Sequence, residues 1–104
     1  MKTSSVFLDD YESVRFDDTG RSAAYFCKRT PIKVDAELIS ELKMAAERRG
    51  SNNLRLCLHD SPGATLHEMI NLELGGKYYR PHKHDGIGEA FHIIEGRMGI
   101  FAFD

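Results

Sequence analysis

The 104-residue sequence has no large excess of charge of either sign, no long apolar run and only two cysteines. Its 14 basic and 16 acidic residues argue against a nucleic-acid-binding protein, because such proteins concentrate positive charge. No apolar run approaches the roughly 20 residues needed to span a bilayer, and residues 1–10 do not resemble a secretory signal. We therefore expect a cytoplasmic protein that binds neither nucleic acid nor membrane.

The two cysteines, Cys27 and Cys57, lie in separate segments without the Cys-x-x-Cys spacing. Two cysteines in a chain without an export signal do not make a disulfide framework, so the sequence predicts reduced thiols, with Cys57 buried. The ordinary fractions of hydrophobic (41%) and charged (29%) residues indicate one globular domain. A chain this short has a thin core, which makes support from a metal or a partner chain plausible.

The residue pattern divides the chain into an N-terminal extension over 1–23 and a folded domain over 24–104. The extension is expected to hold loops with, at most, one short strand. An amphipathic helix is predicted over 35–49, because apolar residues recur there at helical spacing. Asp35 is a suitable N-cap and Gly50 a suitable stop for this helix.

After Gly50 the apolar period changes from that of a helix to that of a strand. Leu54, Leu56 and Leu58 would share one face of a strand, and Arg55 and Cys57 the other. Further extended segments are predicted over 24–27, 31–34, 66–74, 78–84, 90–95 and 97–103. Short strands separated by glycine turns favour a mainly β fold, an antiparallel sandwich or barrel with one helix near the N-terminus.

The segment around His82 and His84 carries the most informative chemistry. Side chains two residues apart on a strand leave the same face, so both imidazoles could reach one ion. Glu89 follows a short loop, and a hairpin would return its carboxylate to the same place. Two imidazoles and a carboxylate suit a divalent Fe, Mn, Ni or Zn ion and leave positions open for water or substrate.

The spacing of Gly76, His82, His84, Glu89 and Gly96 matches the first signature motif of the cupin superfamily. Other segments resemble the WbuC-type cupin-fold metalloproteins: 25–26, 31–34, 55–59, 66–70, 79–84, 89–92 and 96–104, together with the helix. This resemblance covers about residues 24–104. It implies a cupin jelly-roll β-barrel with a bound metal ion, in a family associated with bacterial surface-polysaccharide gene clusters. A small sugar or sugar-nucleotide is therefore the expected ligand.

One departure from the cupin pattern is the missing second motif, which usually supplies a fourth protein ligand. The barrel is therefore expected to be incomplete at its C-terminal side. We expect either a continuation beyond Asp104 or a homodimer in which strands pair across an interface, because an exposed apolar edge over 98–103 would otherwise promote aggregation.

Several other side chains are candidates for the site. Arg55, Tyr78 and Arg80 could bind an anionic or sugar-like substrate, since arginine pairs well with carboxylates and phosphates. His59 and His67 are candidates for an additional metal ligand or for contacts that orient the ligands, and His92 is expected to be structural. No general base can be named from the sequence.

Three functions remain open at this point. The first is a metal-dependent enzyme acting on a small sugar or sugar-nucleotide. The second is a non-catalytic carbohydrate-binding or structural module. The third is an Fe(II)-dependent small-molecule oxygenase, because three ligands with vacant positions also suit oxygen activation.

Overall fold

The computed structural model of the chain describes residues 7–20, 22–29, 32–50, 53–73, 79–83, 86 and 88–103. Within them it forms a four-stranded mixed sheet and one helix. The strands, in their order across the sheet, are β1 (Val14–Asp17), β2 (Ala23–Cys27), β3 (Leu54–Cys57) and β4 (Met69–Leu72), and helix α1 spans Ala36–Arg48. The prediction of a mainly β fold with one helix is confirmed at this level.

The direction of the strands corrects one expectation. β1 pairs with β2 and β3 with β4 in antiparallel fashion, but β2 and β3 are parallel. The expectation of an all-antiparallel sheet is therefore wrong for the central pair. A parallel pair needs a crossover of a dozen or more residues, and α1, which lies between β2 and β3 in the sequence, supplies it.

Helix α1 forms as the sequence predicts. The side chain of Asp35 accepts a hydrogen bond of 3.0 Å from the backbone N–H of Leu38, which satisfies one of the N-terminal donors. At the other end Gly50 adopts a φ of +65°, a left-handed conformation that glycine reaches without strain. The four buried residues of the helix are Leu38, Leu42, Ala45 and Ala46.

Removal of the N-cap side chain gives a direct test of this helix. Asp35→Ala should lower the free energy of unfolding by about 1 kcal/mol, measured by urea denaturation. Asp35→Asn is the matched control, because asparagine caps as well as aspartate. The exposed ion pair of Asp35 with Lys33, at 3.6 Å, contributes little. Equal losses in the two variants would contradict the capping role.

The sheet has two different faces, and β3 shows them most clearly. On the helix face, Leu54 and Leu56 are buried in one cluster with residues of α1. On the opposite face, which we call the Arg55 face, Cys57 is buried with Phe26 and is flanked along β3 by the half-buried Arg55. The predicted alternation along β3 and the burial of Cys57 are both confirmed.

The two cysteines belong to different clusters. Cys27 packs in the cluster of the helix face and Cys57 in that of the Arg55 face. Both are buried free thiols. The prediction of reduced cysteines is confirmed, because the two side chains leave the sheet in opposite directions.

The short strand allowed for in the extension 1–23 is present: it is β1, which pairs with β2 over four residues. Of the predicted segment 66–74, the described residues 66–73 form a strand over Met69–Leu72. The described residues 79–83 form no strand.

The predicted strands over 90–95 and 97–103 do not form: residues 88–103 have no strand pairing in the structure. This segment contacts α1 through an ion pair of 2.6 Å between Lys43 and Glu95. Its exposed large apolar residues are Phe91, Ile93, Ile94, Met98, Ile100, Phe101 and Phe103. An alternating pattern produces a strand only where a partner strand is available, and the described residues provide none here. The cupin jelly-roll and the homodimer stay predictions.

Candidate functional site

A cleft of about 180 Å³ opens beside β3 and β4, and it contains the predicted substrate-binding residue Arg55. Arg55 lies directly opposite Asn71 in the register of β3 and β4, so the two side chains share one face of the sheet. The lining residues are Ser22, Asn53, Leu54, Arg55, Asn71, Leu72, Glu73 and Tyr79. We call this the Arg55 cleft.

The guanidinium group of Arg55 uses little of its hydrogen-bonding capacity. Its Nη2 donates to the backbone carbonyl of Ser22 at 3.4 Å, whereas its Nε is buried without a hydrogen-bond partner among the described residues. No carboxylate of the described part of the chain lies within 4.0 Å of it. The buried Nε is closed to a ligand, whereas the described residues leave the N–H groups of Nη1 and the second N–H of Nη2 without a hydrogen bond, so these groups are suited to receive an acceptor from outside.

Tyr79 connects the Arg55 cleft to the segment that carries the histidine motif. The side-chain amide of Asn53 donates to the Tyr79 hydroxyl at 3.4 Å, which places the start of segment 79–83 beside the entry of β3. Tyr78, the predicted substrate-binding residue, lies outside the described residues. Arg80, also predicted, is exposed and does not line the cleft.

The imidazole of His82 is oriented by its own segment. Its Nδ1 lies 3.1 Å from the backbone carbonyl oxygen of Arg80. A carbonyl only accepts hydrogen bonds, so this contact requires a proton on Nδ1, and in the neutral ring the lone pair then lies on Nε2. Histidines that bind metals commonly make this same N–H to carbonyl contact with their second ring nitrogen.

The complete predicted metal site cannot be seen in the described residues. His84 lies outside them, and His82 and Glu89 are both exposed. Within the described part of the chain, no three side chains of histidine, cysteine, aspartate or glutamate are grouped to hold a metal ion. The three-ligand site stays a prediction, because one of its three members is not described.

His59 and His67, the two candidates for an additional metal ligand, stack on each other. The ring centroids of His59 and His67 are 4.2 Å apart with an interplanar angle of 24°, and the rings of Phe26 and His59 make a T-shaped contact with their centroids 5.7 Å apart. Nδ1 of His59 lies 3.2 Å from both the backbone nitrogen and the carbonyl oxygen of Glu68, so it accepts from the N–H when unprotonated and donates to the carbonyl when protonated. Either bond ties the end of β3 to the residues before β4.

The buried position of His59 also affects its charge. Burial lowers the pKa of His59 below its usual value of 6.5; the contact with the Glu68 carbonyl opposes this, and the charge of His67 lowers the pKa further. His59 is therefore neutral at pH 7. The stability that depends on neutral His59 is fully present above pH 6.5 and is lost as the pH falls through the lowered pKa.

A second arginine, Arg15, also lies on the Arg55 face. Its guanidinium carbon sits 4.5 Å from the ring centroid of Phe26, its register partner across β1 and β2. Burial raises the pKa of the Cys57 thiol, while Arg55 and then Arg15 act in the opposite direction. Both arginines therefore lie close enough to the Cys57 thiol to affect its pKa.

Sequence reasoning missed Asn53, Asn71, Glu73 and Tyr79 as cleft residues. Asn71 could have been found, because it has the same strand phase as Met69 and faces Arg55 across the ladder. Asn53 precedes β3 and Tyr79 lies outside the strands, so no periodic signal marks them.

Comparisons with known proteins place the chain in a family without assigning it an activity. Within the described residues, no helix combines the length and the apolar character needed to cross a bilayer. No curated protein and no solved structure matches the chain at a significant level. A family model described as a domain of unknown function, DUF6016, matches residues 34–104, which include α1, β3, β4 and the histidine motif. The chain therefore belongs to the DUF6016 family.

Proposed function

We propose that this chain is a metal-binding protein of cupin type that holds a small sugar-derived molecule beside the metal. The metal ligands would be His82, His84 and Glu89, and the ion a divalent Fe, Mn, Ni or Zn. The observation that carries the proposal is the contact between Nδ1 of His82 and the Arg80 carbonyl, because it presents Nε2 in the form that binds a metal.

The donor set suits this group of metals. Imidazole nitrogen and carboxylate oxygen are ligands of intermediate hardness, which first-row divalent ions accept. A bound ion of this kind would polarise a carbonyl or hydroxyl group of the ligand. The exposure of His82 and Glu89 agrees with a site that opens to solvent and small molecules.

The Arg55 cleft would lie within reach of a metal held by His82. Tyr79 lines the cleft and His82 follows three residues later. Three residues span at most about 11 Å, so a molecule in the cleft can extend to an ion held by His82. The guanidinium, amide and phenol groups of the cleft are suited to the oxygen atoms of a sugar.

A second candidate is a non-catalytic carbohydrate-binding module. The observation in its favour is the small volume of the cleft, about 180 Å³, compared with about 300–1,000 Å³ for pockets that enclose drug-sized ligands. A shallow cleft holds one sugar ring without excluding water from it, which suits binding better than a water-sensitive reaction.

The metal ligands can be tested by metal analysis of protein purified without chelator. We expect about one divalent ion per wild-type chain and a reduction of metal affinity in His82→Ala that exceeds the about 10–100-fold seen when a supporting contact is removed. His92→Ala is the matched control, since it removes an exposed histidine outside the motif. Full metal occupancy in His82→Ala would contradict the assignment.

The ligand and the type of function need a second measurement. Metal-loaded protein should bind members of a panel of monosaccharides and sugar-nucleotides in calorimetric titration. Turnover of a bound sugar would favour the enzyme, whereas binding without turnover would favour the module. The absence of binding across the panel would contradict the proposed ligand class.

A further inference from the structure

We infer that the Arg55 cleft binds the carboxylate group of a singly charged sugar acid. This inference deepens the proposed function, on which it rests for the sugar, and it names the chemical class of the ligand. It is carried by the combination, in a single small cleft, of an arginine that has no carboxylate within 4.0 Å among the described residues, neutral polar side chains and one acidic residue.

The positive charge of Arg55 provides the first step. A guanidinium has five N–H donors; one is used in the bond to the Ser22 carbonyl and the buried Nε is out of a ligand's reach, which leaves the donors of Nη1 and the second N–H of Nη2. The group is half-buried, so its charge is less screened than that of a surface arginine. Arginine binds carboxylates through two parallel hydrogen bonds, and this arrangement requires a donor pair that is not already engaged by an acidic side chain.

The neutral residues of the cleft provide the second step. Asn53 and Asn71 contribute amide groups and Tyr79 a hydroxyl group, and all three line the same space as Arg55. Amides and hydroxyls both donate and accept hydrogen bonds, as sugar hydroxyls do. A carboxylate attached to a sugar ring would therefore find its anionic partner and its hydroxyl partners within one cleft.

Glu73 provides the argument for a single charge. Glu73 lines the same cleft as the one guanidinium, so the two formal charges of the cleft cancel and do not favour a doubly charged group. A phosphate monoester carries nearly two negative charges at pH 7 and is repelled by Glu73 more strongly than a carboxylate is. The cleft is also small for a sugar-nucleotide but adequate for one ring.

The test compares three probes of similar size on the metal-loaded protein: glucuronate, glucose 1-phosphate and glucose. We expect calorimetric titration to show glucuronate bound at least about tenfold more tightly than glucose, the usual scale of a charge-assisted hydrogen bond. Glucose 1-phosphate should lie between them. Arg55→Gln should remove the preference for glucuronate, whereas Arg97→Gln, an exposed arginine outside the cleft, should leave it unchanged.

A second variant keeps the test independent of the folding of Arg55→Gln. Glu73 is exposed, so Glu73→Gln should fold normally and should strengthen glucose 1-phosphate binding about fivefold, the scale of repulsion between two close charges in water. An unchanged phosphate affinity in Glu73→Gln would overturn the argument for a single charge.

The outcomes distinguish a failure of the carboxylate inference from a failure of the proposed sugar ligand. Equal affinity for glucose and glucuronate would overturn the carboxylate inference and leave the proposed sugar ligand standing. Equal effects of Arg55→Gln and Arg97→Gln would overturn the assignment to this cleft. Failure of all three probes, with metal bound, would overturn both the inference and the proposed ligand class.

Discussion

Leu56→Ala should lower the free energy of unfolding by about 3–5 kcal/mol, as observed for fully buried leucines that leave a cavity. Leu56 is 0% exposed and lies in the cluster that joins the sheet to α1. Its register partners on the neighbouring strands are Tyr25 and Ile70. The side chain therefore fills the centre of a core that a short chain cannot easily repack.

The expected loss is large compared with the total free energy of unfolding of a small domain. Small domains are stable by only about 5–15 kcal/mol, so the loss of Leu56 would remove a large share of the total. Urea denaturation followed by circular dichroism measures it. Leu66→Ala, at a position 76% exposed, should change stability by less than about 0.5 kcal/mol. Similar losses in the two variants would show that the core lies elsewhere.

The sequence predicts the fold best where the structure depends on interactions between residues that are close in sequence. The spacing of apolar residues and the capping side chain of Asp35 are local, and they place α1 to within one residue at each end. The alternation along β3 is also local, and it correctly separates Leu54 and Leu56 from Arg55. The parallel pairing of β2 and β3 depends on how distant segments meet, which no local pattern reveals.

The segment 88–103 shows the limit of periodicity more clearly. Alternation there describes which side chains would share a face if the segment were paired, and it does not show that a partner exists. Phe101 and Phe103 are 82% and 75% exposed, so these side chains pack against no core formed by the described residues.

The candidate site also combines features that the sequence predicts with features that it does not. Arg55 was predicted from its residue type and strand phase, and the structure places it in a cleft. Tyr79 joins that cleft through a contact with Asn53, which is 26 positions away in sequence. The contact of His82 with the Arg80 carbonyl depends on the local backbone path, so residue spacing alone could not supply it.

The two buried cysteines should react very slowly with a thiol reagent in the native protein. Cys27 is 0% exposed, and burial, together with the nearby Cys57 thiol, raises its pKa from 9.0 to about 11. At pH 8 the thiolate fraction of Cys27 then falls from about one in ten to about one in a thousand. Because the thiolate is the reactive form, labelling should be at least about 100-fold slower than in urea-unfolded chain.

The pH dependence of the free energy of unfolding gives a second test of the buried Cys27 thiol. Between pH 9 and about 11 the unfolded chain loses the Cys27 proton while the folded chain keeps it, so the unfolded state binds fewer protons. Stability should therefore be complete below pH 9 and fall as the pH rises through this range. Cys27→Ala is the control, because it removes this titration and should flatten the stability profile relative to the wild type. Rapid labelling of the native chain, at the rate measured in urea, would contradict the burial of Cys27 and Cys57 on the two faces of the sheet. Only a closed core can keep both thiols protonated and inaccessible to the reagent.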